Sequence, residues 1–350
     1  MSSPTPDSYA DAGVSLDTAE EAKRRIAEIV RTARTPLARG KVGGFGGMVR
    51  VPEDFKQPLL VMSTDGVGTK VLVAAAANVH DTVGEDLVNH SVNDILVHGA
   101  KPLAFLDYIA TGNLVPETAA QIVEGVARAC RAHDMTLAGG ETAQLPDLYA
   151  PGHYDLAGSI VGVVEEDQAI HGDGVTPGDQ LIGYASTGLH TNGYTLARKI
   201  VFEWMKLRID DQFPETGRSV AEVLLAVHRS YAAALTPVLS HVHALAHITG
   251  GGIPGNLSRV LPAGTEALIK AGSWPWLPLF RVLMRGGQVT RDEMRRVFNL
   301  GIAMIAVVAR ADVEGAMAAA ERARVEAWLI GEIRAASDTS QPTAVRFEER

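Results

Sequence analysis

The chain carries a single cysteine, Cys130, among its 350 residues. One thiol forms no disulfide within the chain, and a cysteine-rich zinc site is excluded with it. Cys130 lies in an apolar helical stretch and reads as a buried packing residue. Basic residues are in deficit: 32 Lys and Arg stand against 41 Asp and Glu, a net charge of -9 with a pI near 5.7. A protein that grips nucleic acid through its phosphates needs a basic face, so nucleic acid is not an expected partner. A small anionic ligand stays open, because a local cluster of donors holds a phosphate on an acidic protein. No apolar run is long enough to span a bilayer, so no membrane partner is expected either. The opening MSSPTPDSYADAG has early acids and no apolar core, unlike a secretory signal. The expectation is a soluble, cytoplasmic protein. Nucleophilic catalysis has no support, since there is neither a G-x-S-x-G elbow nor a placed Cys–His pair.

What is present is a globular balance of 46% hydrophobic and 21% charged residues, in a length that suits two domains. Residues 1–16 are polar and rich in Pro and Ser, and are expected to be flexible unless a ligand orders them. An apolar stripe of Ile26, Ile29 and Val30 predicts a helix over 17–34, with Asp17 as its cap. Strands are predicted at 58–65, 101–111, 135–138 and 155–165, and helices at 79–98 and 117–132. The Gly- and Asp-rich stretch 166–179 marks a domain boundary. This separates an N-terminal domain, 17–168, from a C-terminal one, 169–345. The second half reads as strands at 180–186, 300–308 and 326–333. Its helices are expected from Asn192, around 219–238, after Gly250–Gly252, and over 312–323. The order of strands and helices is mixed rather than strictly alternating, so the fold class is α/β of the α+β type.

Acidic residues at predicted element ends are the first chemical signal. Asp65 ends a strand before glycine, Glu141 follows Gly139 and Gly140, and Asp94 lies on the 79–98 helix. Each alone reads as a turn or surface residue. Together they offer hard oxygen ligands of the kind that hold magnesium with nucleotide phosphates. Asp86, His90 and Asp94 are spaced four apart and share one helix face, either a metal face or a solvated face with ion-pair partners. The second signal is glycine beside hydroxyl and lysine. DGVGTK (65–70) is not a P-loop, yet it offers close backbone approach through Gly66 and Gly68, the Thr69 hydroxyl and the Lys70 charge. Gly43, Gly44 and Gly46 lie in GGFGG (43–47), either a phosphate-covering loop or a plain one. Gly250, Gly251 and Gly252 precede a predicted helix start, where backbone amides bind anions. The third is STGLHTNG (186–193), in which His190 is a candidate proton carrier and Asn192 a helix N-cap.

Ten segments in one order closely resemble the phosphoribosylformylglycinamidine cyclo-ligase family. They are SYADAGV (8–14), GGFGG (43–47), STDGVGTK (63–70), HDTVGEDLV (80–88), VNDILVHGAKPLAFLDYIATG (92–112), GGETAQLP (139–146), YDLAGSIVGVVE (154–165), GLHTNGYTLAR (188–198), HITGGGIPGNLSRVLP (247–262) and FNLGIAMI (298–305). The resemblance spans about residues 8 to 336. It implies two α/β domains of an ATP-using superfamily fold, with N-terminal domains pairing in a homodimer. It implies ATP and Mg2+ as cofactors, with Asp65, Asp94 and Glu141 on the metal and ATP. Thr142 and the glycines of 43–47 and 65–70 would lie near the nucleotide, and Gly250 to Gly252, His190 and Asn192 near the substrate. His190, Lys70 and Asp94 are the implied catalytic residues. Two departures stand out. The usual GGETAEMPGMY reads GGETAQLPDLY here, so Gln144 replaces an acid and Asp147 a glycine, and Leu189 stands where proline is common.

The implied substrate is formylglycinamidine ribonucleotide. Its formyl amide oxygen is a poor leaving group until the γ-phosphoryl of ATP is placed on it. The ribose-bearing amidine nitrogen then attacks the formyl carbon and phosphate departs, which needs a proton acceptor such as His190. Among relatives of the superfamily, selenophosphate synthetase would want a reactive Cys near the N-terminus. Thiamine monophosphate kinase and the hydrogenase-maturation member lack this run of motifs. A catalytically silent nucleotide binder would bind ATP without turnover.

Overall fold

The computed structural model describes residues 14–336 and 344–349. Most of the expected flexible segment 1–16, and of the SYADAGV motif, lies outside the described residues. The chain divides into two compact units. The first takes residues up to Asp54, Met62–Ser91 and Pro102–Val161; the second takes Phe55–Val61, Val92–Lys101 and everything from Gly162.

The first unit is built on a four-stranded sheet of order β3-β6-β4-β5. Its strands are β3 (Pro58–Gly66), β4 (Lys101–Thr111), β5 (Thr136–Gln144) and β6 (Tyr154–Glu165); a two-residue antiparallel ladder joins β1 (Ala38–Arg39) to β2 (Met48–Val49). β4 and β5 run parallel, as the crossover helix Pro116–Ala132 between them requires. Alternation along β4 buries Leu103, Phe105 and Ile109 and turns Leu106 and Tyr108 outward. Met62 on β3 is exposed as well. β5 is longer than expected. GGETA is not a turn after a short strand. Pairing with β4 continues through Gly139 to Gln144 after a register shift at Phe105/Leu106, so Glu141 lies within the strand. The first helix, Leu16–Thr32, is capped by Ser15, whose side chain accepts from Thr18 N at 3.2 Å. Asp17, expected as the cap, sits instead in the first turn, where the helix dipole favours an acid.

The helices Asp81–Leu96 and Pro116–Ala132 pack glycine to backbone. A Cβ at Gly84 would lie 2.0 Å from Ile122 O, and one at Gly125 would lie 1.9 Å from Asp81 O.

The second unit holds a six-stranded sheet of order β12-β9-β11-β7-β10-β8. Its strands are β7 (Gln180–Ala185), β8 (Val242–His247), β9 (Thr265–Lys270), β10 (Ile302–Val308), β11 (Ala327–Ala335) and β12 (Ala344–Glu348). Neighbours are antiparallel except β12 with β9. β7 and β10 are buried along their whole length, because both faces of the sheet are covered. Met304, Ala306 and Val308 join Tyr184, Tyr231 and Ala316 in one core, while Ile305 and Val307 join Ile253, Leu257 and Trp274 in the other. The helix expected over 219–238 is broken into Val220–Leu224 and Ala232–Leu235. The interruption has a cause in Asn93, whose Nδ2 donates to Arg229 O at 2.8 Å and whose Oδ1 accepts from Tyr231 N at 2.9 Å. Backbone groups that a helix would satisfy internally are taken by that one side chain. No helix among the described residues is long and apolar enough to cross a membrane.

Gly125→Ala is expected to cost about 1–3 kcal/mol by overpacking the helix pair, read as a lower melting midpoint. A wild-type midpoint would show that the helices separate freely.

Candidate functional site

In the first unit Asp65 is the penultimate residue of β3. Its Oδ1 accepts from Gly66 N at 2.6 Å and its Oδ2 faces His90 Nε2 at 2.9 Å. Gly66 closes the strand, Gly68 takes φ +57° in the turn, and Thr69 stands at the N-cap of the helix Lys70–Ala77. Lys70, expected beside phosphates, is turned into the interior: it is fully buried, with Nζ 2.7 Å from Asp86 Oδ2. Burial pulls the Lys70 ammonium below its usual range, and the Asp86 carboxylate opposes that pull. Asp86 and His90 therefore do not form a solvated helix face. Each is buried and meets a partner from the DGVGTK segment.

Gly43, Gly44 and Gly46 form the exposed tip between β1 and β2, with Phe45 fully exposed among them. Glu141 is exposed on β5, and its Oε1 accepts from Thr142 N at 2.9 Å. Asp65 and Glu141 are not brought together. They lie on β3 and β5, the two edge strands, with β6 and β4 between them. Three strand spacings separate the edges, about 14 Å of sheet. One ion held by both within one sheet is not what the topology offers.

Asp107 escaped the sequence reading. It occupies the inward register of β4 and is buried beneath β5, where a Cβ on Gly140 would lie 2.4 Å from its Oδ1. Burial pushes its carboxyl up to about 7. The available signal was its position two residues from Phe105 and Ile109, in step with the buried face. Cys130 is fully buried and its thiol is pushed up by burial, as its packing role requires.

In the second unit the STGLHTNG and HITGGG segments meet. Asn192 is not the helix cap, a position held by Gly193; its Oδ1 accepts from Gly250 N at 3.1 Å. Gly252 N donates to Thr249 O, and Asn256 Nδ2 donates to Gly250 O and Gly252 O. The N–H groups of Gly250 and Gly252 are thus already engaged. Gly251 and Gly252 take φ +96° and +62°, which explains glycine there. His190 is buried at φ +61°, and its Nε2 accepts from Thr187 N at 3.1 Å, which places the ring proton on Nδ1.

Asp94 belongs to this unit, and its Oδ1 lies 2.8 Å from His247 Nδ1. His247 Nε2 lies 3.2 Å from His228 Nε2, and the His228 ring stacks at 4.0 Å from that of His190. Sequence reasoning named the HITGGG segment for its glycines and overlooked its first residue. His228 had no signal at all, since it lay inside an expected helix. Of the departures from the family pattern, Asp147 takes φ +68°, the left-handed region that the usual glycine adopts without strain, and Leu189 is buried.

Two family models match the chain: the N-terminal domain of AIR synthase related protein over residues 43–164, and its C-terminal domain over 176–340. A phosphoribosylformylglycinamidine cyclo-ligase of Sorangium cellulosum (strain So ce56) is 45% identical over 346 residues, covering 98% of each chain. That of Trichlorobacter lovleyi is 46% identical over 332 residues, 94% of this chain and 95% of its own. Among solved structures, thiamine-monophosphate kinase from Stenotrophomonas maltophilia K279a aligns with a TM-score of 0.67 at 17% identity, covering 93% of this chain and 96% of that one. The hydrogenase maturation protein HypE in complex with ATP aligns at 0.63 and 18%, covering 93% and 90%. At these identities the two structures share the fold alone.

The raised Asp107 carboxyl has a stability consequence. Its folded value, about 7, exceeds the unfolded one, so the native state holds the proton more tightly. The stabilisation is complete below the unfolded value near 4 and is lost as pH rises through about 7. Asp107→Asn is expected to flatten the pH dependence of melting between pH 5 and 8 and to raise the midpoint at pH 8. An unchanged slope would contradict the assignment.

Proposed function

The chain belongs to the phosphoribosylformylglycinamidine cyclo-ligase family, and from that premise we propose that it closes the imidazole ring of 5-aminoimidazole ribonucleotide. Formylglycinamidine ribonucleotide and ATP give the aminoimidazole, ADP and phosphate. The observation that carries this reading is the match of about 45% identity along nearly the whole chain to relatives of that name.

The chemistry follows from the leaving group. An amide oxygen departs poorly, so the γ-phosphoryl of ATP is transferred to the formyl oxygen first. The amidine nitrogen attacks the formyl carbon, the C–O bond breaks, phosphate leaves with that oxygen, and loss of a proton gives the aromatic ring. Phosphoryl transfer asks for positioning and charge neutralisation. Asp65 and Glu141 in the first unit and Asp94 in the second are carboxylates with the hard oxygens that suit Mg2+. Held at any one of these carboxylates, Mg2+ would neutralise charge on the phosphates. The exposed tip with Gly43, Gly44 and Gly46 suits close backbone approach to ATP. So does the turn of Gly66, Gly68 and Thr69, with Thr142 beside Glu141. Lys70 serves this turn from behind: its pair with Asp86 fixes the helix start that follows Asp65. On the substrate side, Asn192 and Gly250 to Gly252 form one tied loop pair. His190 contributes Nδ1, and it can act as a base only once its Nε2 bond to Thr187 is given up.

A homodimer belongs to the same proposal. The first sheet exposes Leu106 and Tyr108 on one face of β4, at 40% each, and Met62 on β3 at 69%. Exposed apolar side chains on a sheet mark a surface that a partner covers.

Two measurements test this. Purified protein with ATP, Mg2+ and formylglycinamidine ribonucleotide is expected to yield aminoimidazole ribonucleotide and ADP in equal amounts. ATP binding without product would overturn the assignment. Leu106→Glu is expected to shift the protein from dimer to monomer in sedimentation, and a wild-type dimer in that variant would remove this face from the interface.

A further inference from the structure

The last strand of the second unit ends at a pocket of arginine and tryptophan that none of the chemistry above uses. β12 lies parallel to β9, with Phe347 opposite Ile269 and Glu348 opposite Lys270, and Ala271 N donates to Glu348 O at 2.9 Å. Held in that register, the strand brings Phe347 and Glu349 to Arg295. The Arg295 guanidinium stands 4.1 Å from the centre of the Phe347 ring. The Glu349 carboxylate accepts from Arg295 Nη2 at 2.5 Å and from Arg291 Nη1 at 2.9 Å. Arg295, with Arg291 beside it, holds the Glu349 carboxyl below its usual range.

Beside this carboxylate is a cavity of about 400 Å3, walled by Trp274, Trp276, Arg281, Met284 and Leu300. That volume is in the range of small-molecule sites. Trp274 is buried and its indole N–H donates to Leu300 O at 2.9 Å, which fixes the ring. The Trp276 carbonyl accepts from Arg281 Nη1 at 2.6 Å, while the Trp276 indole N–H meets no partner among the described residues. Arg291 spends one nitrogen on Glu349, so most of its five donors are unspent. The wall thus counts three guanidiniums, of Arg281, Arg291 and Arg295, against the single carboxylate of Glu349. Two further acids touch these arginines without lining the cavity. Glu215 serves Arg281 together with Arg285, and Asp292 lies 3.6 Å from Arg295 with its side chain 90% exposed.

A guanidinium fork matches the oxygens of carboxylate and phosphate, and aromatic walls take flat rings. Glu349 already makes the carboxylate half of that match from within the chain. Two positive charges are left over in the wall, which a dianionic phosphate balances and a monoanion does not. We propose that this pocket binds a phosphate monoester carrying a flat ring, and that Glu349 is the built-in competitor for its arginine pair. The site is independent of the cyclo-ligase reading, since Asp65, Asp94, Glu141 and His190 are not among its walls.

The probe is phenyl phosphate, titrated into the full-length protein and followed by 1H–15N correlation of the indole groups. The chain has four tryptophans, and single Trp→Phe variants assign their signals. The Trp274 and Trp276 signals are expected to shift and to saturate with a Kd below about 1 mM, while that of Trp204 stays in place. No saturable shift, or one confined to Trp204, overturns the site. Benzoate, a monoanion, is expected to bind at least about 5-fold more weakly, and phenol to give no saturable shift. Benzoate as tight as phenyl phosphate contradicts the phosphate class, and phenol as tight makes the pocket a plain apolar cleft. Glu349→Gln is expected to tighten phenyl phosphate about 5-fold by freeing the arginine pair, and Arg291→Ala to weaken it by a similar factor. The side chains of Arg291 and Glu349 are 59% and 49% exposed, so both substitutions leave the core intact. A tail that served packing alone would loosen in Glu349→Gln, and the unchanged or weaker binding that follows would overturn the competitor role.

Discussion

A charged or polar side chain taken out of water must be given a partner, and that requirement organises both units. Lys70 and Asp86 are buried together at 2.7 Å, and neither would be tolerated there alone. Their pairing anchors the start of the helix Lys70–Ala77, and with it the turn that follows Asp65. In the second unit Asn93 plays the corresponding part. It stops a helix by taking Arg229 O and Tyr231 N, and the segment it holds open is the one that carries His228 inward. Two glycines set the packing of the first unit's helices by allowing backbone contact, and one carboxyl, Asp107, is kept near neutrality by the same dryness.

Much of this was readable in the residues. The strands β4, β6, β7 and β10 follow from apolar runs or alternation, and the helices Asp81–Leu96 and Pro116–Ala132 from their period. The site segments DGVGTK, GGETA, STGLHTNG and HITGGG were all visible from glycine beside chemistry-bearing side chains. What escaped had physical reasons. GGETA looks like a turn, yet parallel pairing with β4 carries it on as strand, a non-local effect that no local propensity expresses. The expected helix over 219–238 has good local character and yields to tertiary hydrogen bonds from Asn93. β8, β9 and β12 are short and rest on a sheet whose neighbours are distant in the chain.

The site residues teach the same lesson at finer scale. Spacing put Asp86, His90 and Asp94 on one helix face, and that was right. It could not say that each would meet a different partner, in Lys70, Asp65 and His247. Nor could it say that Asp65 and Glu141 would stand on opposite edges of one sheet. Asp107 belongs to a class that motif reading misses: a polar residue in step with the buried face of its strand, where alternation would place an apolar side chain.

The central claim is that the formyl oxygen of the substrate becomes the bridging oxygen to phosphorus before the ring closes. Turnover of formylglycinamidine ribonucleotide labelled with 18O at the formyl group tests it directly, with the released phosphate examined by 31P NMR. Phosphate carrying one 18O per turnover is the predicted result. Unlabelled phosphate, with the label released into water, would mean that ATP is hydrolysed apart from the ring closure, and the account of the chemistry would be wrong.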